Sequence, residues 1–423
     1  MKISPRFHIL LGFALISTAI GCRTTQTVKV THPVSMDVRS FLAKGDGVTK
    51  DTAAFQAALD YCETKGGGTV DVPPGIYLIG SIVIHPNTTL RLEGRASLVG
   101  SPDIADYPLE QVRWEGEFRQ GHRALISSDH ADNVSITGSG AIFGPPINLS
   151  VLRNPRGPAL IEMANGTNVT LNGFSTLYEH LWSIHLLFCH DVTVRNLLIR
   201  TIVTNGDGID VDSCDGVTIE GCDINTGDDA ISLKSGRGLA AMQLGRPTQN
   251  IVIRNCTLAS SLDAGLGIGT EMSGGIRNVR LENCTLSGHQ NGIFIKSRDG
   301  RGGFMENISG SNLDIVDSPT FLGIDLITKG IQAADPVPGA IEKWALVKDI
   351  RFNHVTVNNV QTLVLGSNIP PARPIDGLTL ADVTGKCGRG IILTNVLNAK
   401  FDGISVTGFN GSLFRTNNVQ LAP

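Results

Sequence analysis

A short pattern returns along this chain, and it limits the possible folds more than any other feature. It reads x-Asn/Asp/Gly-apolar-x-apolar-x-Gly/Asn. Clear copies start at Asp132, Thr167, His190, Asp215, Gln249 and Arg277, and weaker ones at Glu306, Lys348, Asp376 and Leu397. Some starts lie only 21 to 25 residues apart, and wider gaps mark insertions. A short period broken by insertions is the mark of a solenoid. Alternating apolar residues such as Val217 and Ile219 make short strands with one inward face. Asn and Gly supply turns that need positive φ. Most repeats lack a 3.6-residue period, which excludes helical repeats, and a propeller blade takes ~40–50 residues. The expected fold is therefore all-β, a single-stranded right-handed parallel β-helix forming one domain over 35–423. The 49 glycines and the 5% aromatic content suit a turn-rich architecture of this kind. One helix is expected, over 51–62, with Asp51 or Thr52 as its cap and Ala54, Phe55, Ala58 and Leu59 as its apolar face. It precedes the first coils, so it is placed as a cap on their N-terminal end. Segment 319–343 matches no repeat and reads as a loop over a cleft or an edge feature.

The first 22 residues read as export machinery rather than fold. Lys2 and Arg6 precede an apolar run from Ile9 to Ile20, which ends in Ala19-Ile20-Gly21-Cys22. Small residues before a cysteine resemble a lipoprotein cleavage box, with Cys22 as the lipidated residue. The expected order is signal peptide 1–22, tether 23–34, then the β-helix. Export to the periplasm or outer membrane is expected, with membrane attachment only through that lipid. Loss of Lys2 and Arg6 takes the formal net charge from −4 to −6, which argues against a nucleic-acid partner. Seven cysteines remain after Cys22, and an odd number argues against complete disulfide pairing. Cys222, Cys256 and Cys284 recur at one point of three repeats, so they are expected to stack as a buried ladder. No His/Cys group has metal-site spacing, and no metal or cofactor is expected. A monomer is expected.

The chemistry concentrates in Asn205-Gly206-Asp207-Gly208-Ile209-Asp210 and Thr226-Gly227-Asp228-Asp229. One repeat separates Asp207 from the Asp228–Asp229 pair. In a coil they occupy neighbouring rungs, ~4.8 Å apart along the stack. Crowded carboxylates push their pKa values apart. One then stays protonated as an acid while its neighbours, ionised, activate water. Asp210, Asp212 and Asp215 read as ordinary turn residues.

These blocks resemble the family 28 glycoside hydrolases, the polygalacturonases and their relatives, from about Met36 to Ser318. The family's Asn-Thr-Asp block is matched by Asn205-Gly206-Asp207, and its Asp-Asp block by Gly227-Asp228-Asp229. The resemblance implies that Asp228 protonates the glycosidic oxygen. It also implies that Asp207 and Asp229 hold and activate water, with inversion. Two positions depart from the family. Its Gly-His-Gly block falls on Asp263-Ala264-Gly265, so Ala264 stands for the histidine. Its Arg-Ile-Lys block falls on Phe294-Ile295-Lys296, so Phe294 stands for the arginine and Lys296 alone keeps its charge. Losing a guanidinium removes a bidentate carboxylate partner. A phenyl ring offers stacking to a neutral or deoxy sugar, which points toward rhamnogalacturonan rather than plain homogalacturonan.

The expected partner is thus a pectic poly- or oligosaccharide. Asn205, Lys234, Phe294, Lys296, Arg298 and Arg301 are the expected substrate contacts. His289, five residues before Phe294, is a further contact or else a surface turn residue. Trp114 and Trp182 either stack on sugar or fill space under loops. The stretches Arg113-Trp114-Glu115-Gly116 and Trp182-Ser183-Ile184-His185 resemble exo-acting members, and insertions before Asn205 are placed to close one end of the cleft. Two other readings stand beside hydrolysis: a polysaccharide lyase on the same fold, and a non-catalytic glycan-binding β-helix.

Overall fold

The computed structural model describes residues 34–145, 155–179, 181–329, 339 and 342–423. The expected export segment, Cys22 and the tether up to residue 33 lie outside them. Val34, read as the last tether residue, already belongs to the first strand, Val34–Asp37.

The coils lay parallel strands into three ladders. The first stacks Val34–Asp37, Gly68–Val72, Thr88–Leu92, Ser135–Gly138, Thr167–Asn172, His190–Arg195, Asp215–Glu220 and Thr248–Arg254, and continues beyond. The repeat starts fall in register along it. Thr167 faces His190, His190 faces Asp215, Asp215 faces Gln249, and Gln249 faces Arg277. Arg277 then faces Glu306, Glu306 faces Lys348, and Lys348 faces Asp376. A second ladder runs through Ala141–Phe143, Ser175–Leu177, Leu198–Arg200, Asp223–Thr226 and Thr257–Ser260. The third carries the site. It stacks Ile184–Leu187, Ile209–Asp212, Ile231–Lys234, Ala264–Ile268, Asn291–Lys296 and Thr320–Asp325. The fold is the expected right-handed parallel β-helix. Thr320–Asp325 shows that the segment without a repeat match opens as a regular rung.

Alternation sets the inside of the coil. Val192, Val194, Val217, Ile219, Ile251 and Ile253 are all buried in one continuous core, each worth ~1.5–3 kcal/mol of apolar burial. Turns are fixed by residues that tolerate the left-handed region. Asn250, Asn278 and Asn307 sit at φ 58, 56 and 54° on successive coils. Their side chains form an amide ladder, with Asn278 Nδ2 donating to Asn250 Oδ1 at 3.0 Å and Asn307 Nδ2 to Asn278 Oδ1 at 2.9 Å. Asn enters this region more readily than other side chains because its short amide bonds locally. Cys222, Cys256 and Cys284 are buried free thiols, as expected, and Cys256 N donates to Cys284 Sγ at 3.5 Å.

The expected helix spans Thr52–Thr64 and buries Phe55, Ala58, Leu59 and Cys62 against the first strands. Asp51 holds the N-cap position, as expected, and its carbonyl accepts from Phe55 N at 3.0 Å, but its side chain does not bond the first turn. The Asp51 carboxylate instead accepts from Lys44 N at 2.7 Å and Gly45 N at 3.0 Å. Thr52 Oγ1 accepts from Gly80 N at 2.8 Å. Both side chains tie the helix to neighbouring chain rather than to its own first turn.

One insertion matters for the site. Leu109–Trp114 and Glu117–His122 form an antiparallel hairpin outside the ladders. Its turn places Glu115 at φ 49° and Gly116 at φ 80°. An added Cβ on Gly116 would lie 2.9 Å from Arg237 N, so the tip needs glycine to approach the body of the coil.

Candidate active site

Outward residues of the third ladder build the floor of a cleft. On each strand, alternate residues face out. Asp210 is followed on the next rung by Ser232, then Gly267, Phe294 and Gly323. The neighbouring file runs from Asp212 to Lys234 and, two rungs later, Lys296, which faces Asp325. The turns that enter these strands bring Asp207, the Asp228–Asp229 pair, Asp263 and Gln290 to the same edge. The open cleft, about 340 Å³, lies at the lower end of the ~300–1,000 Å³ of small-ligand sites.

Asp207, Asp228 and Asp229 converge there, together with Asn205, Lys234, Phe294, Lys296 and Arg298. Asp228 is half-buried, whereas Asp207 and Asp229 are buried. Two main-chain donors hold Asp228: Asn205 N reaches Oδ2 at 3.2 Å and Asp229 N reaches Oδ1 at 3.0 Å. Asn205 therefore holds Asp228 through its backbone, at φ 61°, a conformation that suits asparagine.

Asp229 Oδ1 accepts from Ala264 N at 3.2 Å, and Oδ2 accepts from Ser232 Oγ at 3.2 Å and Lys296 Nζ at 2.9 Å. Its carboxyl is still pushed up to about 7. Burial is the main cause, and repulsion from Asp263 and Asp228 adds to it, against the pull of Lys296. Gly267 makes room for this carboxylate, since a Cβ there would stand 2.2 Å from Asp229 Oδ2.

Asp207 is raised well above the ordinary carboxylate range by burial, then by the charge of Asp210, with Lys234 opposing. Lys234 Nζ lies 3.2 Å from Asp207 Oδ2 and also pairs with Asp210. Burial disfavours its charge, yet Asp207, Asp210 and Glu271 hold it well above the usual lysine range. The Trp182 ring covers the ammonium at 3.9 Å. Lys234 lines the cleft, but its charge is already engaged by two protein carboxylates.

Several sequence expectations change here. Asp210 and Asp212 are not turn residues: both are buried on the third ladder. Asp210 pairs with Lys234, and Asp212 with Arg113 Nε at 3.1 Å. Asp215 is not a turn residue either: it opens the first-ladder strand Asp215–Glu220, half-buried, and takes Gln249 Nε2 and Asn250 Nδ2 at 2.7 Å each. Arg301 is fully buried and does not line the cleft. His289 is exposed outside the lining, and its neighbour Gln290 lines the cleft instead. Ala264 contributes its backbone N–H to Asp229 in place of a histidine side chain. Trp114 and Trp182 are both buried. Arg156 lies between them, 5.0 Å from the Trp114 ring and 4.3 Å from that of Trp182, and Arg119 covers Trp114 at 4.9 Å. Their faces stack on cations of the protein.

Sequence reading missed Asp263, Glu115, Thr328 and Lys329, all in the lining. Asp263 Oδ2 takes Lys296 Nζ at 2.7 Å. Asp228, Asp229 and Asp263 place oxygens within 4.8 Å of one another, and Lys296 bonds two of the three. The signal for Asp263 was its place just before a third-ladder strand, the place that Asp228 and Asp229 occupy one coil earlier.

The profile of glycosyl hydrolases family 28 matches residues 62–384. The chain belongs to this family. As a family 28 member it is a glycoside hydrolase. It is 29% identical to a probable polygalacturonase of Vitis vinifera over 390 residues, covering 88% of this chain and 76% of that one. It is 25% identical to an exo-poly-alpha-D-galacturonosidase of Dickeya chrysanthemi, covering 96% and 73%. Its fold is shared with a family 28 exopolygalacturonase of Yersinia enterocolitica, at TM-score 0.79, 21% identity and 92% and 78% coverage. It is shared also with an exopolygalacturonase of Thermotoga maritima, at TM-score 0.76, 24% identity and 88% and 92% coverage.

Proposed function

We propose that this family 28 enzyme hydrolyses an α-galacturonide-type linkage in pectic poly- or oligosaccharide, by single displacement with inversion. The observation that carries the reading is the convergence of Asp207, Asp228 and Asp229 on one open cleft, with Asp228 the most accessible of the three. Asp228 donates the proton to the departing oxygen. Asp207 and Asp229, one coil apart, hold the attacking water between them. A base works best with a pKa near the operating pH, and Asp229 at about 7 meets that condition.

Phe294 forms part of the cleft wall where an arginine would bind a carboxylate, so the sugar over it is neutral, as rhamnose is in rhamnogalacturonan. The hairpin tip supports an exo-acting enzyme, because it brings Glu115 into the lining of the cleft. The leader ending at Cys22 supports export and attachment through a lipid, which labelling with a radioactive fatty acid tests by comparing wild type with Cys22→Ala.

The deciding experiment is mass spectrometry of products from oligogalacturonides and from rhamnogalacturonan oligomers, with Asp228→Asn as the control. Water-added products that vanish in the control support the reading. Unsaturated products, lighter by one water, would replace it with elimination. Turnover of oligogalacturonides alone would overturn the neutral-sugar assignment.

A further inference from the structure

Lys296 is the one charge kept from the family's Arg-Ile-Lys block, yet two carboxylates of the protein already hold it. Asp229 lies at 2.9 Å and Asp263 at 2.7 Å. The two differ in exposure. Both line the cleft, but the Asp229 side chain is 4% exposed and that of Asp263 is 20% exposed. A substrate carboxylate that approached Lys296 from the cleft would meet Asp263 first. Lys296 also lies 5.2 Å from the centre of the Phe294 ring, so ammonium, phenyl ring and Asp263 border one pocket wall.

Arg298, two residues on, has the opposite character. It lines the same cleft half-buried, and its Nε and Nη1 have no hydrogen-bond partner. No protein carboxylate is paired with this guanidinium among the described residues, so a group of this kind in the lining is suited to the carboxylate of a substrate. Lys329, exposed in the lining nearby, adds positive charge.

We propose that Asp263 is a specificity-determining residue, which neutralises Lys296 and excludes a uronate there, leaving that place to a neutral sugar, while Arg298 binds the uronate of the adjoining sugar. The cleft then selects a heteroglycan in which a neutral sugar stands beside a uronic acid. This inference rests on the pectic hydrolase reading above.

The test compares wild type, Asp263→Asn and Arg298→Gln on oligogalacturonides and on alternating rhamnose–galacturonate oligomers. Asp263→Asn keeps the shape and frees Lys296. The expected result is a rise of about tenfold or more in the ratio of kcat/KM for oligogalacturonide over the alternating oligomer, equivalent to ~1.4 kcal/mol of discrimination. The change should come chiefly from a lower KM for the oligogalacturonide. Arg298→Gln should raise KM for the alternating oligomer with kcat little changed. An unchanged ratio in Asp263→Asn, in a variant that keeps its thermal midpoint, would overturn the role of Asp263. If the wild type hydrolyses neither substrate, the functional reading fails, and calorimetric titration with trigalacturonate still decides the inference. Affinity must rise in Asp263→Asn, and equal affinity would overturn it.

Discussion

Two lysines on one file of the third ladder use the same device with opposite outcomes. Lys234 stands between Asp207 and Asp210 under the Trp182 ring, and Lys296 between Asp229 and Asp263 beside Phe294. The first clamp is closed. Both of its carboxylates are buried, and the indole covers the cation. The second is open on one side, where Asp263 reaches the cleft. An ammonium between two carboxylates therefore serves two purposes. Enclosed, it fixes Asp207, the base of the proposed reaction. Partly exposed, it sets the charge that a sugar meets.

The largest effect should come from breaking the closed clamp. Lys234→Met leaves Asp207 and Asp210 buried together without a counter-ion, and such a loss costs ~3–5 kcal/mol. Thermal unfolding should show a clear drop in midpoint, and Lys234→Met with Asp210→Asn should recover part of it. Equal midpoints for wild type and Lys234→Met would mean that the clamp does not bear on stability.

Next comes the space that the open clamp needs. Gly267→Ala puts a methyl where Asp229 Oδ2 now lies, at 2.2 Å. Displacing a catalytic group by about 1 Å costs on the order of a hundredfold in rate, so kcat should fall by roughly that factor in a folded protein. A variant with full activity would show that Asp229 does not act from this position.

The pH profile separates the clamps more finely. Asp229 at about 7 places the ascending limb of kcat/KM near neutrality, since the base must be ionised. Lys296→Met removes the opposing cation, so the limb should move up by ~1 unit or more. Asp263→Asn removes a repelling charge, so it should move down. Stability follows the same sign. A carboxyl held above its unfolded value favours the folded state when protonated, so this contribution is full below about pH 4 and is lost as pH rises through about 7. Unfolding midpoints of Asp229→Asn against wild type should converge at low pH and separate above that window.

The smallest effect belongs to the first ladder, away from the cleft. Asp215→Ala loses two exposed or half-buried amide contacts, worth ~1 kcal/mol or less, and should leave turnover unchanged.

The contrast between Asp210 and Asp215 also shows what was legible in the chain. The repeat pattern placed seven successive pairings in register, because an apolar alternation of period two admits only one alignment per coil. The same pattern made Asp207, Asp228 and Asp229 neighbours. It could not separate Asp210 from Asp215. Both are polar residues on outward strand positions, and what engages Asp210 is Lys234, supplied by the next coil. The Arg113–Asp212 pair spans a separation of 99 residues through an insertion that follows no period. Arg301 reads as a cleft cation beside its glycines, but lies beneath the surface. Asp263 reads as one residue of a degenerate block until its rung is built.

The two ammonium groups lie two rungs apart on the same file: Leu233, Ile268 and Ile295 face one another in turn, and Lys234 and Lys296 each come one residue later. Strand spacing in such a ladder is ~4.8 Å, so the clamps are held ~10 Å apart. That distance comes in whole steps. A loop can lengthen and a side chain can change, but the separation cannot drift by a fraction of a rung. An enzyme built this way acquires a new sugar by replacing a tooth on a fixed rack, as Phe294 and Asp263 suggest, never by sliding one tooth toward another.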